Sequence, residues 1–225
     1  MLKLEKVSLV IFDMDGLMFD TERLSLWAWE KAGKDFGYEI TPNITIGATG
    51  LDARDIALYF KRHFGVSFPF FDIQKLESKY FNEYIMENGV PVKEGLYDLL
   101  DFLKANSILK AVATSTYRKL AEECLSLANV KDEFDLIVCG DDVEKGKPEP
   151  DIFLKAAKVL NCSPNECIVL EDSENGLKAA SRAGMHPICV PDLKIPSKEV
   201  QKLIFKQLDS LIQVKSFLEK ELKLL

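Results

Sequence analysis

At 225 residues, 47% hydrophobic and 29% charged, the chain is long enough to bury a core without staples and too apolar to be disordered. Its formal net charge of -7 argues against a nucleic-acid partner, because no global positive field exists to collect phosphate backbones. The five cysteines (Cys124, Cys139, Cys162, Cys167, Cys189) are odd in number and form no C-x-x-C pair, and no segment approaches the roughly 18 apolar residues of a membrane span, so free buried thiols in a cytoplasmic protein without a membrane partner are expected.

The first apolar run, Val7–Phe12, is short, rich in β-branched residues and stops at Asp13, which predicts a buried strand. The segment from 21 to 88 then reads as helical, over Leu24–Phe36, Ala53–Phe64 and Ile73–Met86. Only Ile44-Thr45-Ile46 looks strand-like there. Beyond it, strand runs at Leu109–Ala113, Leu136–Cys139, Cys167–Leu170 and Pro187–Val190 alternate with helix-period stretches. That alternation predicts an α/β fold, a parallel sheet between two helical layers, formed by residues 1–20 and 89–225, with residues 21–88 inserted after the first strand as an all-helical cap. The tail from Ser197 reads as helical or mixed.

In an open α/β sheet, ligands bind beyond the carboxyl ends of the strands, so the polar residue after each run is a candidate. Asp13-Met14-Asp15-Gly16 follows the first. Residues two apart on an extended chain point the same way, which aims both carboxylates into one crevice, where their repulsion invites a cation. Magnesium suits one or two carboxylates plus phosphate oxygens, whereas a calcium loop lacks its further carboxylates and closing Glu. Thr114-Ser115-Thr116 follows the second run, either as a neutral nest for phosphate oxygens or as a helix N-cap. Lys147 lies between glycine and proline in Lys145-Gly146-Lys147-Pro148-Glu149-Pro150-Asp151, where two prolines stiffen the loop. Glu171-Asp172 ends the fourth run and offers metal ligands, with Asp or Ser capping the next helix as the alternative.

In this order, the four groups resemble the four motifs of the haloacid dehalogenase superfamily. The wider text, with Leu170-Glu171-Asp172-Ser173 and Ala183-Gly184-Met185, is similar to the branch holding β-phosphoglucomutase and phosphoglycolate-phosphatase-like enzymes. The resemblance implies a Rossmann-like core with a helical cap. It also implies that Asp13 attacks phosphorus to form an aspartyl-phosphate and that Asp15 is the acid/base. Thr114, Ser115 and Lys147 would bind the transferring phosphoryl group, and Asp13, the Asp15 carbonyl and Asp172, with Glu171 nearby, would hold Mg2+.

The expected activity is therefore a magnesium-dependent phosphatase of a small phosphorylated metabolite such as a sugar phosphate. The alternative is a phosphomutase, but the resemblance then implies a His near the hinge and an Arg just after a cap glycine. Here Ser25 stands at the first position and the nearest arginine, Arg54, is displaced. Arg54 is a candidate for an anionic substrate end or an ordinary surface residue. A binding protein that only retains the fold would be expected to have lost an Asp or the Lys, and neither is lost. A monomer is the default expectation.

Overall fold

Four consecutive apolar residues, Leu9–Phe12, form strand β1, and all four are buried, which explains why the run shows no polar alternation. Strands β2 (Leu109–Ala113), β3 (Leu136–Val138), β4 (Cys167–Glu171), β5 (His186–Cys189) and β6 (Lys206–Gln207) complete one sheet in the order β3-β2-β1-β4-β5-β6. Every pairing is parallel. The structure is a computed structural model and describes residues 6–48 and 53–222, without the side chains of residues 53 and 54.

Ten α-helices are described: α1 (Thr21–Asp35), α2 (Pro42–Ala48), α3 (Ala53–Phe64), α4 (Phe70–Asn88), α5 (Leu96–Ala105), α6 (Arg118–Leu127), α7 (Asp151–Val159), α8 (Glu174–Arg182), α9 (Lys198–Gln201) and α10 (Leu211–Leu222). Helices α7 and α8 bury Ile152, Phe153, Ala156, Ala179 and Ala180 against Leu9, Ile11, Ala111, Ala113 and Val169. These strand residues alternate along β1, β2 and β4, so they line one face of the sheet. Helix α5 packs on β2 and carries α10 behind it. The expected α/β core with a parallel sheet is what the chain forms. Among the described residues, no helix is long and apolar enough to cross a membrane.

The chain divides into two compact units, Met1–Phe19 with Val92–Leu225, and Asp20–Pro91. The second has its own core, in which Trp29, Phe60, Phe68, Phe70 and Ile73 are buried. Trp29 stacks on Phe60 with centroids 4.8 Å apart.

One local expectation changes and another gains detail. Ile44-Thr45-Ile46 is helical, inside α2, because Pro42 occupies its first position and Ile44 packs on the aromatic core of the helical unit, so packing overrides β propensity. The tail is mixed, and part of it extends the sheet: Lys206–Gln207 pairs with Ile188–Cys189 at the edge. Two exposed residues carry no apolar period to announce a strand.

Register positions the polar residues. Phe12 lies beside Val112 on one side and Leu170 on the other, so the next residues, Asp13, Ala113 and Glu171, emerge at one level. The ladder continues past the strands: Asp13 N donates to Leu170 O at 3.0 Å and Thr114 N to Val138 O at 3.1 Å.

Candidate active site

Beyond Asp13 the backbone turns sharply. Gly16 adopts φ 79°, where glycine is at no disadvantage, and its N–H donates to Phe19 O at 2.9 Å to close the turn. A Cβ at Gly16 would overlap the Asp172 carboxylate, so the missing side chain lets Asp172 sit against this turn. Gly176 plays the same part for Glu171, whose carboxyl fills the space a Cβ would take at the start of α8.

Lys147 is the hub. Its side chain is 5% exposed, and Nζ donates to Asp13 Oδ1 at 2.5 Å. It also donates to Glu171 Oε1 at 2.6 Å and to Ala113 O at 2.9 Å. All three donors of an ammonium thus have partners, as a buried charge requires. The Phe153 ring lies 5.1 Å from Nζ and forms an apolar wall. Burial works against the charge on Lys147, but Asp13 and Glu171 outweigh it and raise its pKa above the ordinary lysine range. Burial also raises Asp13 well above the usual carboxylate range, opposed by Lys147 and reinforced by Glu171 and Asp15.

Glu171 is fully buried, and both of its oxygens are engaged. Oε1 takes Lys147, while Oε2 accepts from Ser173 N at 3.0 Å and Ser173 Oγ at 2.8 Å. Ser173 in turn caps α8, its Oγ accepting from Gly176 N at 3.1 Å. The capping reading and the site reading of this segment are therefore both realised, by different residues.

In the hydroxyl segment after β2 the capping alternative is not realised. Helix α6 begins at Arg118 without a side-chain cap, so Thr114 and Thr116 do not serve it. Thr114 Oγ1 accepts from Thr116 N at 3.0 Å, and Thr116 Oγ1 donates to Asp15 Oδ2 at 2.6 Å. Thr114 Oγ1 lies 3.5 Å from the same Oδ2, the outer limit of a hydrogen bond. Ser115 is exposed and, with Tyr117, Gly140, Val143, Gly146, Lys147 and Ile152, lines a cavity of about 150 Å³.

Asp13, Glu171 and Asp172 bring one carboxylate oxygen each within 4.8 Å of one another. Carboxylate oxygens gathered this closely repel one another unless a cation or a proton relieves them. An all-oxygen donor set of this kind fits a hard divalent cation such as magnesium.

The structure thus brings together Asp13, Lys147, Glu171 and Asp172 on one side and Asp15 with Thr114 on the other. Arg54 falls in α3, but its side chain lies outside the described residues. Sequence reasoning passed over Thr116 as a separate functional residue. Ser173, the partner of Glu171, was read only as a possible cap.

A parallel sheet whose strand ends converge on a lysine and four carboxylates defines an α/β enzyme of the haloacid dehalogenase type. The chain belongs to the haloacid dehalogenase-like hydrolases, whose family model matches residues 10–190. It is similar to the "Phosphorylated carbohydrates phosphatase" of Thermotoga maritima, 32% identical over 183 residues, which cover 80% of this chain and 82% of that protein. It is also 34% identical over 208 residues to the "Probable pseudouridine-5'-phosphatase" of Drosophila melanogaster, with 87% of each chain covered. Among solved structures, the β-phosphoglucomutase of Clostridium difficile superposes with a TM-score of 0.75 at 26% identity, covering 96% of each chain.

Proposed function

We propose that the chain is a magnesium-dependent phosphatase of a small phosphorylated metabolite, working through an aspartyl-phosphate. The observation that carries this reading is the buried Lys147, held at 2.5 Å from Asp13 and 2.6 Å from Glu171 beside the Asp172 carboxylate. Such an arrangement aims a carboxylate nucleophile and a fixed positive charge at one place. The names of the relatives, phosphatases of carbohydrate and nucleoside phosphates, support the same substrate class.

In the first half-reaction an Asp13 oxygen attacks phosphorus, the ester P–O bond breaks, and Asp15 gives its proton to the leaving oxygen. In the second, water attacks the phosphorus of the acyl phosphate and passes a proton to Asp15. The bond from phosphorus to Asp13 then breaks and the carboxylate is restored. Lys147, the Thr114 hydroxyl and the Ser115 amide stabilise charge on the transferring oxygens. Magnesium, held by Asp13, the Asp15 carbonyl and Asp172, would supply the positive charge that lets an anionic nucleophile approach an anionic phosphoryl group. Glu171, engaged at both oxygens by Lys147 and Ser173, acts by orienting the lysine. Arg54 is a further proposed contact for an anionic substrate end.

Water is favoured over a sugar hydroxyl as the second acceptor. Where the resemblance implies a hinge histidine, Ser25 stands instead, and its hydroxyl donates to Glu77 Oε1 within the helical unit at 3.1 Å. The test is hydrolysis of para-nitrophenyl phosphate with and without magnesium. Turnover that needs magnesium and disappears in Asp13→Asn is expected, and turnover that survives that substitution would sink the proposal. Conversion of β-glucose 1-phosphate to glucose 6-phosphate faster than phosphate release would show the mutase instead.

A further inference from the structure

Thr116 Oγ1 donates to Asp15 Oδ2 at 2.6 Å. That length lies at the short end of the range for hydroxyl hydrogen bonds. The segment that carries Thr116 is gripped from the turn after β3. Gly140 N donates to Thr116 O at 3.1 Å, and Arg118 N donates to Asp141 Oδ1 at 3.0 Å. The Arg118 guanidinium reaches Asp142 Oδ2 at 2.5 Å, and that same oxygen accepts Cys139 N at 2.8 Å. A Cβ on Gly140 would collide with the Ser115 carbonyl, so the close approach of the two segments depends on glycine. Two backbone segments and an ion pair therefore fix the position of one hydroxyl.

We propose that Thr116 is a positioning residue for Asp15, its hydroxyl holding the carboxyl in a single orientation from a clamp built by Gly140, Asp141, Asp142 and Arg118. This inference rests on the reading of Asp15 as the acid/base given above. In the first half-reaction the proton moves from the Asp15 carboxyl to the leaving oxygen as the ester bond breaks. A carboxyl free to rotate would spend only part of its time in line with that oxygen. General acid catalysis contributes about 10²–10⁴-fold, and releasing the orientation removes a share of it, on the order of 10–10²-fold. The loss has a signature. A basic leaving group needs the proton, whereas a nitrophenolate departs with little help.

The test compares kcat/KM for phenyl phosphate and para-nitrophenyl phosphate, which reports steps through phosphoryl transfer to Asp13, in the wild type, Thr116→Val, Thr116→Ser and Asp15→Asn. Thr116→Val is expected to lose on the order of 10–10²-fold on phenyl phosphate and clearly less on the nitrophenyl ester. Thr116→Ser, which keeps the hydroxyl, is expected to restore both. Asp15→Asn should show the same selectivity with a larger loss, and adding Thr116→Val to it should change nothing further, because the hydroxyl acts only through that carboxyl. If Thr116→Val does not fold, Thr116→Ala carries the same comparison. A wild-type ratio in Thr116→Val, an equal loss on both esters, or a full further loss in the double variant overturns the positioning role, while a selective Asp15→Asn leaves the acid/base reading standing. An unselective Asp15→Asn overturns the acid/base reading itself.

Discussion

Each unit of this protein buries a carboxyl, and the two are treated in opposite ways. In the α/β unit, Glu171 is fully buried and meets an ammonium: Lys147 donates to it at 2.6 Å, and Ser173 supplies two more hydrogen bonds. In the helical unit, Glu77 on α4 is 9% exposed and meets hydroxyls, Ser25 Oγ at 3.1 Å and Ser78 Oγ at 3.2 Å. Burial pushes Glu77 up to about 7, and the two hydroxyls only partly offset it. A neutral donor offsets the burial of a carboxylate less than an ammonium does. The α/β unit therefore gives its buried Glu171 a cation, and the helical unit gives Glu77 only hydroxyls, so that burial prevails there.

Breaking the core arrangement should have the largest effect. Lys147→Met leaves Asp13 and Glu171 buried without their cation and is expected to cost about 3–5 kcal/mol of stability. Turnover should fall on the order of 10²–10³-fold even under conditions where the variant is folded. Urea denaturation and steady-state kinetics measure the two losses separately. A Lys147→Met variant as stable as the wild type would show that the charges are compensated elsewhere.

The helical unit should respond to pH. The folded pKa of Glu77, about 7, lies above its ordinary value of 4.5, so its contribution to stability is fully present below that lower value and is lost as pH rises through about 7. Raising pH from 5 to 8 is expected to cost the wild type about 2–3 kcal/mol more than Glu77→Gln, which does not ionise. Equal pH dependence in the two proteins would contradict the assignment.

Ser25→Ala should act in the same place more weakly, costing about 1 kcal/mol at pH 8 and less at pH 5, where the accepting carboxyl is neutral. Denaturation at the two pH values reads this difference. Smallest of all, Arg182→Ala removes a half-exposed pair with Glu149 and a bond to Pro148 O, and should change stability by no more than ~0.5 kcal/mol.

The same contrast explains what could be read from sequence. Much of the candidate site in the α/β unit was legible because Asp13, Thr114 and Glu171-Asp172 stand at strand ends, and strand ends in a parallel sheet converge. Asp13 after β1 and Glu171 closing β4 are brought to one level, with Thr114 one residue further along β2, by a register that the apolar runs already announce. Lys147 has no strand to mark it; glycine and proline on either side made it stand out. The helical unit offers no such convergence. A buried stripe at helical spacing looks the same whether it hides Trp29 in a core or Glu77 beside Ser25. Ile44-Thr45-Ile46 carried β-branched residues yet folded as helix α2 because the aromatic core around Phe60 and Phe68 took it in that form. Thr116 was hidden for a different reason: its role depends on the turn at Gly140, a contact between residues far apart in the chain.

The central claim is that Asp13 becomes phosphorylated during turnover. Quenching the enzyme in steady state with para-nitrophenyl phosphate and magnesium, then reducing with borohydride, converts an aspartyl-phosphate to homoserine, which peptide mass spectrometry locates. Homoserine at position 13 is expected, absent when magnesium or substrate is omitted. Steady turnover with an unmodified Asp13, or with homoserine at another carboxylate, would contradict the account.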